Sequence, residues 1–306
     1  MASGVLLADQ KTKERLTVIS ELLGATTEFF HKEGFLQLLP VILGKSTDPL
    51  GPDPGSMIVK TPEVEYLGMK LYSMNSMILH KQVAVRQLGK IFIMSPNIRL
   101  ERGERKATGK HLFEFTQADF EIPDAKMEDV FSLMERYYQS LSARLERQRE
   151  LFEPFGVEPF RFRTPFKRYT THQLAEKYGD DWEIPASKDH DQPFWALCHK
   201  REFYDAEDLG DKGHYLNYDL VYPLGYGEAL SGAQREWDYD RIVTRMGADK
   251  LNMEVYKAYL AEARKGFVRS AGAGFGIERL GRFLTRAEHV GDMQIFRRVP
   301  GEEVTI

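Results

Sequence analysis

The chain has 306 residues, 42% of them hydrophobic and 12% aromatic, enough to build one large α/β domain or two small ones. Its 42 Lys and Arg against 46 Asp and Glu leave a formal charge of −4, without the long basic tract that marks a polyanion-binding surface. The lone Cys198 cannot form an internal disulfide, no apolar run approaches the roughly 18–20 residues that cross a bilayer, and residues 1–10 lack the order of a secretory signal. The expectation is a cytoplasmic protein with no membrane association.

In chain order, Leu16, Ile19, Leu22, Leu23 and Phe30 recur at helical spacing and predict a helix over residues 10–33. Gly34-Phe35 ends it, a strand is expected over 36–43, and a Pro- and Gly-rich loop over 46–56 carries Asp48 and Asp53. A strand at 70–73 leads into a helix over 76–88. Two strands follow, 91–101 and 111–122, joined by a loop rich in Arg102, Arg105, Lys106 and Lys110. In the second, strict alternation sends His111, Phe113, Phe115, Gln117, Asp119 and Glu121 to one face, and Leu112, Ala118, Phe120 and Ile122 to the other. The floor of a binding site shows that pattern, and so does a sheet with one solvated face. An amphipathic helix is expected over 126–148, then an insertion of short mixed elements over roughly 150–205. A strand at 217–222, helices at 234–246 and 252–265, a strand at 267–274 feeding a Gly-rich turn, and a last helix at 277–285 complete the chain. One continuous α+β domain with a mostly antiparallel sheet fits this order.

Two segments carry chemistry. Arg99-Leu100-Glu101, the basic loop and His111 to Asp119 form one; Gly272-Ala273-Gly274-Phe275-Gly276-Ile277-Glu278-Arg279 forms the other. Together, and in this order, they resemble motifs 2 and 3 of the class II aminoacyl-tRNA synthetases. The resemblance implies that Arg99 holds the α-phosphate of ATP, that Phe115 stacks under adenine and that Arg279 covers it. Glu101 and His111 are implied at the nucleotide as well. Gly34-Phe35 followed by Pro40 is similar to motif 1, the dimer interface of that family, which implies a homodimer.

Tyr218-Asp219-Leu220 and Gly227-Glu228 to Ser231-Gly232 and Gln234-Arg235 resemble the aspartyl/asparaginyl branch, particularly its archaeal type. By that resemblance Asp219, Glu228 and Ser231 ligate Mg²⁺, an oxygen-only set suited to a hard cation. Glu228 is shared with ATP, and Arg235 pairs with the substrate carboxylate. Asn75-Ser76 to Lys81-Gln82 is similar to a substrate-contacting stretch of aspartyl enzymes, with Ser76 and Lys81 matching and Ile78 in place of a glutamine. Lys81 and Arg235 therefore imply aspartate, because a neutral amide needs no cation. Gln117 and Asp119 match positions that read the substrate amino group. Asp48 is either a contact for that amino group or a base for an incoming amine.

The resemblance reaches from the first helix to Phe296-Arg297-Arg298 but covers only the catalytic core, with no counterpart of an anticodon-binding domain. Thr47-Asp48-Pro49-Leu50, Arg201 to Tyr204 and Tyr226-Gly227-Glu228 are similar to an archaeal asparagine synthetase-related group. The expected reaction is therefore ATP-dependent, AMP-forming asparagine synthesis from aspartate and ammonia through an aspartyl-adenylate, with tRNA not expected as a partner. The alternative is an aspartyl-tRNA synthetase-like paralogue that activates aspartate and transfers it to a tRNA or protein acceptor.

Overall fold

The computed structural model describes residues 9–50, 57–199 and 201–304; Asp53 lies outside them. Helix α1 (Gln10–Lys32) starts where the Asp9 side chain accepts from the Thr12 amide and buries Val18, Leu22, Ala25, Phe29 and Phe30, one stripe at helical spacing. Short strands β1 (Leu36–Leu38), β2 (Leu43–Gly44), β3 (Ile58–Lys60), β4 (Glu63–Tyr66) and β5 (Met69–Ser73) follow, then helix α2 (Ile78–Leu88). Pro40 interrupts the strand expected over 36–43, since proline cannot donate to a ladder.

Strand β6 (Ile91–Ile98), the two-residue β7 (Leu100–Glu101) and β8 (Glu114–Pro123) build the motif 2 region. The basic loop between them coils into a 3₁₀ helix over Gly103–Thr108. Helix α3 (Met127–Glu146) is followed by β9 (Lys167–Thr170), α4 (Thr171–Tyr178), α5 (Glu183–Lys188) and β10 (Phe194–Leu197). The chain ends with β11 (Asn217–Tyr222), β12 (Gly227–Gln234), α6 (Tyr239–Ala248), α7 (Lys257–Arg264), β13 (Ser270–Gly276) and α8 (Ile277–Thr285).

Among the described residues the main sheet has eight strands in the order β1-β6-β8-β13-β12-β11-β10-β9. Its pairs are antiparallel except β1 with β6 and β10 with β9. Helices α1, α3 and α8 cover one face, where Phe30, Phe92, Phe120, Tyr137 and Phe275 pack tilted and stacked, geometries that add to simple area burial. The opposite face is polar yet buried: Asp119 is 2% exposed and Glu121 is 0%. The alternation along β8 therefore marks a site floor, and the solvated-face reading is set aside. Among the described residues no helix is long and apolar enough to cross a membrane.

Candidate active site

The floor depends on three glycines, of which Gly272 and Gly274 fall in the strand expected over 267–274 and Gly276 in the turn expected after it. Gly272, Gly274 and Gly276 lie within β13, opposite Glu121, Asp119 and Gln117 of β8. A Cβ at Gly272 would sit 2.1 Å from Glu121 Oε2, and one at Gly274 would sit 2.6 Å from Asp119 Oδ1. The missing side chains let two carboxylates of β8 lie across the neighbouring strand. Helix α8 then begins directly at Ile277, so the strand runs straight into the helix without the expected turn.

Two chambers open above this floor. The first, about 700 Å³, is walled by Asp48, Ser76, Lys81, Gln117, Asp119, Arg201, Tyr204, Asp205, Ser231 and Arg235, among others. Nζ of Lys81 donates to Asp119 Oδ1 at 2.9 Å and to the carbonyls of Phe120 and Ala273, and lies 3.9 Å from Glu121 Oε2. The Arg235 guanidinium donates to Glu121 at 3.1 and 3.2 Å and lies 3.5 Å from Asp205. Burial works against its charge, but Glu121 and Asp205 more than offset that and hold its pKa above the ordinary value. Both cations expected to meet a substrate carboxylate are thus already engaged by the protein. Asp48 is buried, accepting from the Leu50 amide at 3.0 Å and the Tyr204 hydroxyl at 2.9 Å. Burial raises its pKa, and that of Asp205 beside it. Asp119 Oδ2 is buried without a hydrogen-bond partner, which leaves an acceptor for an ammonium group.

The second chamber, about 480 Å³, is lined by Glu101, Lys110, His111, Phe115 and Arg279, and shares Arg99, Gln117, Glu228 and Gly274 with the first. Arg99 follows β6; its Nε donates to the Asn75 carbonyl at 3.0 Å and its guanidinium lies 5.2 Å from the Phe115 ring centroid. Glu101 does not pair with Arg99: its carboxylate lies 2.9 Å from Arg105 Nε, and burial raises its pKa. His111 bonds through Nδ1 to the Thr108 hydroxyl. Burial, with Arg279, Arg105 and Lys110 nearby, pushes its pKa down to about 2, so the ring is neutral at physiological pH. Arg279 donates to the Lys110 carbonyl at 3.1 Å and lies 3.1 Å from Glu228 Oε1. Burial opposes the Glu228 charge, but Arg279, Lys110, Arg201 and Arg99 outweigh it and hold the carboxyl well below its usual range. A β-bulge in the β11–β12 pairing, between Leu220 and Val221, sets the register at Glu228. Every other cation of the two chambers has a carboxylate partner: Lys81, Lys110, Arg201, Arg235 and Arg279. Among the described residues, Arg99 has none within ion-pair distance.

Asp219 and Ser231 face each other across β11 and β12, with Glu228 on the same strand as Ser231. The donors are carboxylate and hydroxyl oxygens, and Asp219 Oδ1 is buried with no hydrogen-bond partner; this set fits a hard divalent cation. Arg201 donates to both Asp219 and Ser231.

Residues 4–300 match the family described as tRNA synthetases class II (D, K and N). The chain is 27% identical to the asparagine–tRNA ligase of Pyrococcus horikoshii over 315 residues, covering 95% of this chain and 69% of that one. It is 27% identical to the Streptococcus pneumoniae asparagine–tRNA ligase over 328 residues, covering 96% and 70%. It superposes on the crystal structure of the P. horikoshii asparaginyl-tRNA synthetase complexed with asparaginyl-adenylate with a TM-score of 0.83 and 26% identity, over 96% of this chain and 70% of that one. The sheet and its flanking helices are the class II synthetase catalytic fold. The chain belongs to the class II tRNA synthetases of the D, K and N group.

Two expectations are corrected. The relatives are tRNA ligases, and the solved structure holds an aminoacyl-adenylate of such a ligase. That overturns ammonia-dependent asparagine synthesis as the reaction, and with it the exclusion of tRNA as a partner. Both rested on the extent of the resemblance, which says nothing of the acceptor. The archaeal asparagine synthetase-related group finds no support beyond the shared catalytic core.

The structure also brings in residues to which the sequence assigned no role. Arg201 and Tyr204 stood only in a run that carried a likeness, Glu121 only as a place in an alternation, and Asp205 had no signal.

Proposed function

We propose that this chain activates an amino acid of the aspartate–asparagine pair with ATP and transfers it from the adenylate to tRNA. The observation that carries the reading is Arg99, a cation without a carboxylate partner among the described residues, at the junction of the two chambers. An amino acid in the first chamber and ATP in the second meet there. The α-carboxylate attacks the α-phosphorus, the bond to the bridging oxygen breaks, and pyrophosphate leaves. Arg99 offsets the charge gathering on the phosphorus oxygens, the role in which a preorganised cation contributes most. A hydroxyl of the acceptor then attacks the acyl carbon and AMP leaves.

Phe115 offers a ring face to adenine, and Arg279, held by Glu228 and the Lys110 carbonyl, closes over it. Asp119 Oδ2 and Gln117 receive the α-ammonium group. Mg²⁺ held by Asp219, Glu228 and Ser231 would screen the phosphate charge. Leu36, Leu39, Ile42 and Leu43 are exposed around the motif 1 segment, which supports a homodimer through that surface.

Asparagine is the first reading of the amino acid. Lys81 and Arg235 face three carboxylates, Asp119, Glu121 and Asp205, and a neutral amide adds no further negative charge to that cluster. Aspartate is the second reading, favoured by the presence of Lys81 in the chamber wall. ATP–pyrophosphate exchange with each amino acid, followed by transfer of the labelled amino acid to total tRNA, tests both. Exchange with neither amino acid would sink the proposal, and exchange without tRNA charging would remove its second half.

A further inference from the structure

We propose that His172, Cys198 and His214 form a binding site for a transition-metal ion of the Zn²⁺ type, outside both chambers. Their ligand atoms lie within 4.8 Å of one another, and none of the three lines either chamber. Tetrahedral zinc with one sulfur and two nitrogens sets its ligands about 3.3–3.8 Å apart, so side-chain rotation of an ångström closes the set. A thiol with two imidazoles is a soft-to-borderline donor set, unlike the oxygen-only set at Asp219, and selects Zn²⁺-like ions over Mg²⁺.

Three separate segments converge to make the cluster. His172 stands in the first turn of α4, Cys198 follows β10, and His214 ends the turn that precedes β11. Hydrogen bonds fix these segments. The Thr171 hydroxyl donates to the Cys198 carbonyl at 2.7 Å, the Cys198 amide donates to the Asn217 carbonyl at 3.1 Å, and the His214 carbonyl accepts from the Asp208 amide at 2.7 Å. Cys198 is held at φ +69°, a left-handed conformation that a residue with a Cβ adopts only when its surroundings impose it. Oδ2 of Asp211 lies 3.0 Å from Nδ1 of His214 in a geometry that forms no hydrogen bond; a turn of the ring lets it either orient that imidazole, as carboxylates do behind metal-bound histidines, or take the fourth position.

The site adjoins the chemistry without belonging to it. The residue after Cys198 is His199, whose Nε2 lies 3.4 Å from Asp219, and Arg201 lies across Asp219 and Ser231. An ion at the cluster braces the strand end from which that segment departs.

The test uses the full chain, stripped of metal by chelation and titrated with Co²⁺ alone. One Co²⁺ per chain with thiolate-to-cobalt charge-transfer absorption, displaced by Zn²⁺, is expected. Cys198→Ser removes that absorption, Asp211→Asn weakens binding about 10–100-fold, and His172→Ala weakens it by about tenfold or more. His172 is exposed, so His172→Ala keeps the fold and decides the matter should Cys198→Ser fail to fold. No charge-transfer band in the wild type, a band that survives in Cys198→Ser, or unchanged affinity in His172→Ala would each overturn the proposal.

Discussion

Lys81 of α2 donates to Asp119 of β8 at 2.9 Å with the two side chains only 2% and 3% exposed. The contact ties the helix over the first chamber to the floor beneath it, and it places a cation against two carboxylates, since Glu121 is also within reach. Removing the cation alone leaves Asp119 buried and uncompensated, while Glu121 keeps Arg235. Lys81→Met is expected to lower stability by about 3–5 kcal/mol, measured by urea unfolding. Lys81→Met combined with Asp119→Asn should recover much of that loss; an equal or greater loss in the double variant would argue against the ion pair as the cause.

Arg99→Ala removes the cation at the chamber junction and nothing that holds the core. ATP–pyrophosphate exchange should fall about 10²–10³-fold while the unfolding curve stays where it was. Near-normal exchange would refute its assignment to the α-phosphate.

Glu278 opens the last helix with its carboxylate accepting from the Thr116 amide at 3.0 and 3.1 Å and from Gln294 at 3.2 Å. Burial outweighs those bonds and raises its pKa from 4.5 to about 7. Between those values the folded chain binds more protons than the unfolded one, so this group's contribution is fully present below pH 4.5 and is lost as pH climbs through 7. The loss amounts to about 3–4 kcal/mol. Glu278→Gln should therefore gain stability relative to the wild type as pH rises from 4.5 to 8, by about that amount. Thermal unfolding of the pair across this range checks it, and a constant difference would contradict the shift.

Gly272→Ala drives a methyl into Glu121 Oε2 and the Phe120 carbonyl, 2.1 and 2.2 Å from the position it must occupy. Overpacking of this kind costs about 1–3 kcal/mol, and here it also displaces the carboxylate that holds Arg235. Lower stability and weaker amino-acid binding should appear together. A variant as stable as the wild type would show that β13 can move away from β8 without loss.

Much of the architecture was legible from local pattern. The apolar stripe of α1, the period-two alternation of β8 and the order of Arg99, Glu228 and Arg279 along the chain all survive in the folded molecule. Pattern failed where a local signal had two tertiary meanings. The strand expected to end at Gly274 runs on to Gly276, and within it Gly272 and Gly274 clear room for Glu121 and Asp119 of β8. A polar strand face reads as solvated or as a floor, and the burial of Asp119 and Glu121 decides for the floor.

Residue order alone carries the family, the two arginines of motifs 2 and 3, and the carboxylates that suit a divalent ion, because those depend on chemistry and spacing along one strand or helix. Which charges neutralise which depended on folding. Arg235 meets Glu121 across 114 residues of sequence, and Lys81 meets Asp119 across 38. Such pairings follow from strand register, and a shift by one residue would turn every one of these side chains to the other face. That register leaves Arg99, among the described residues, without a carboxylate partner between the chambers and gives Lys81 and Arg235 partners before any substrate arrives, while the β9–β10–β11 end of the sheet gathers His172, Cys198 and His214 from three segments into one cluster.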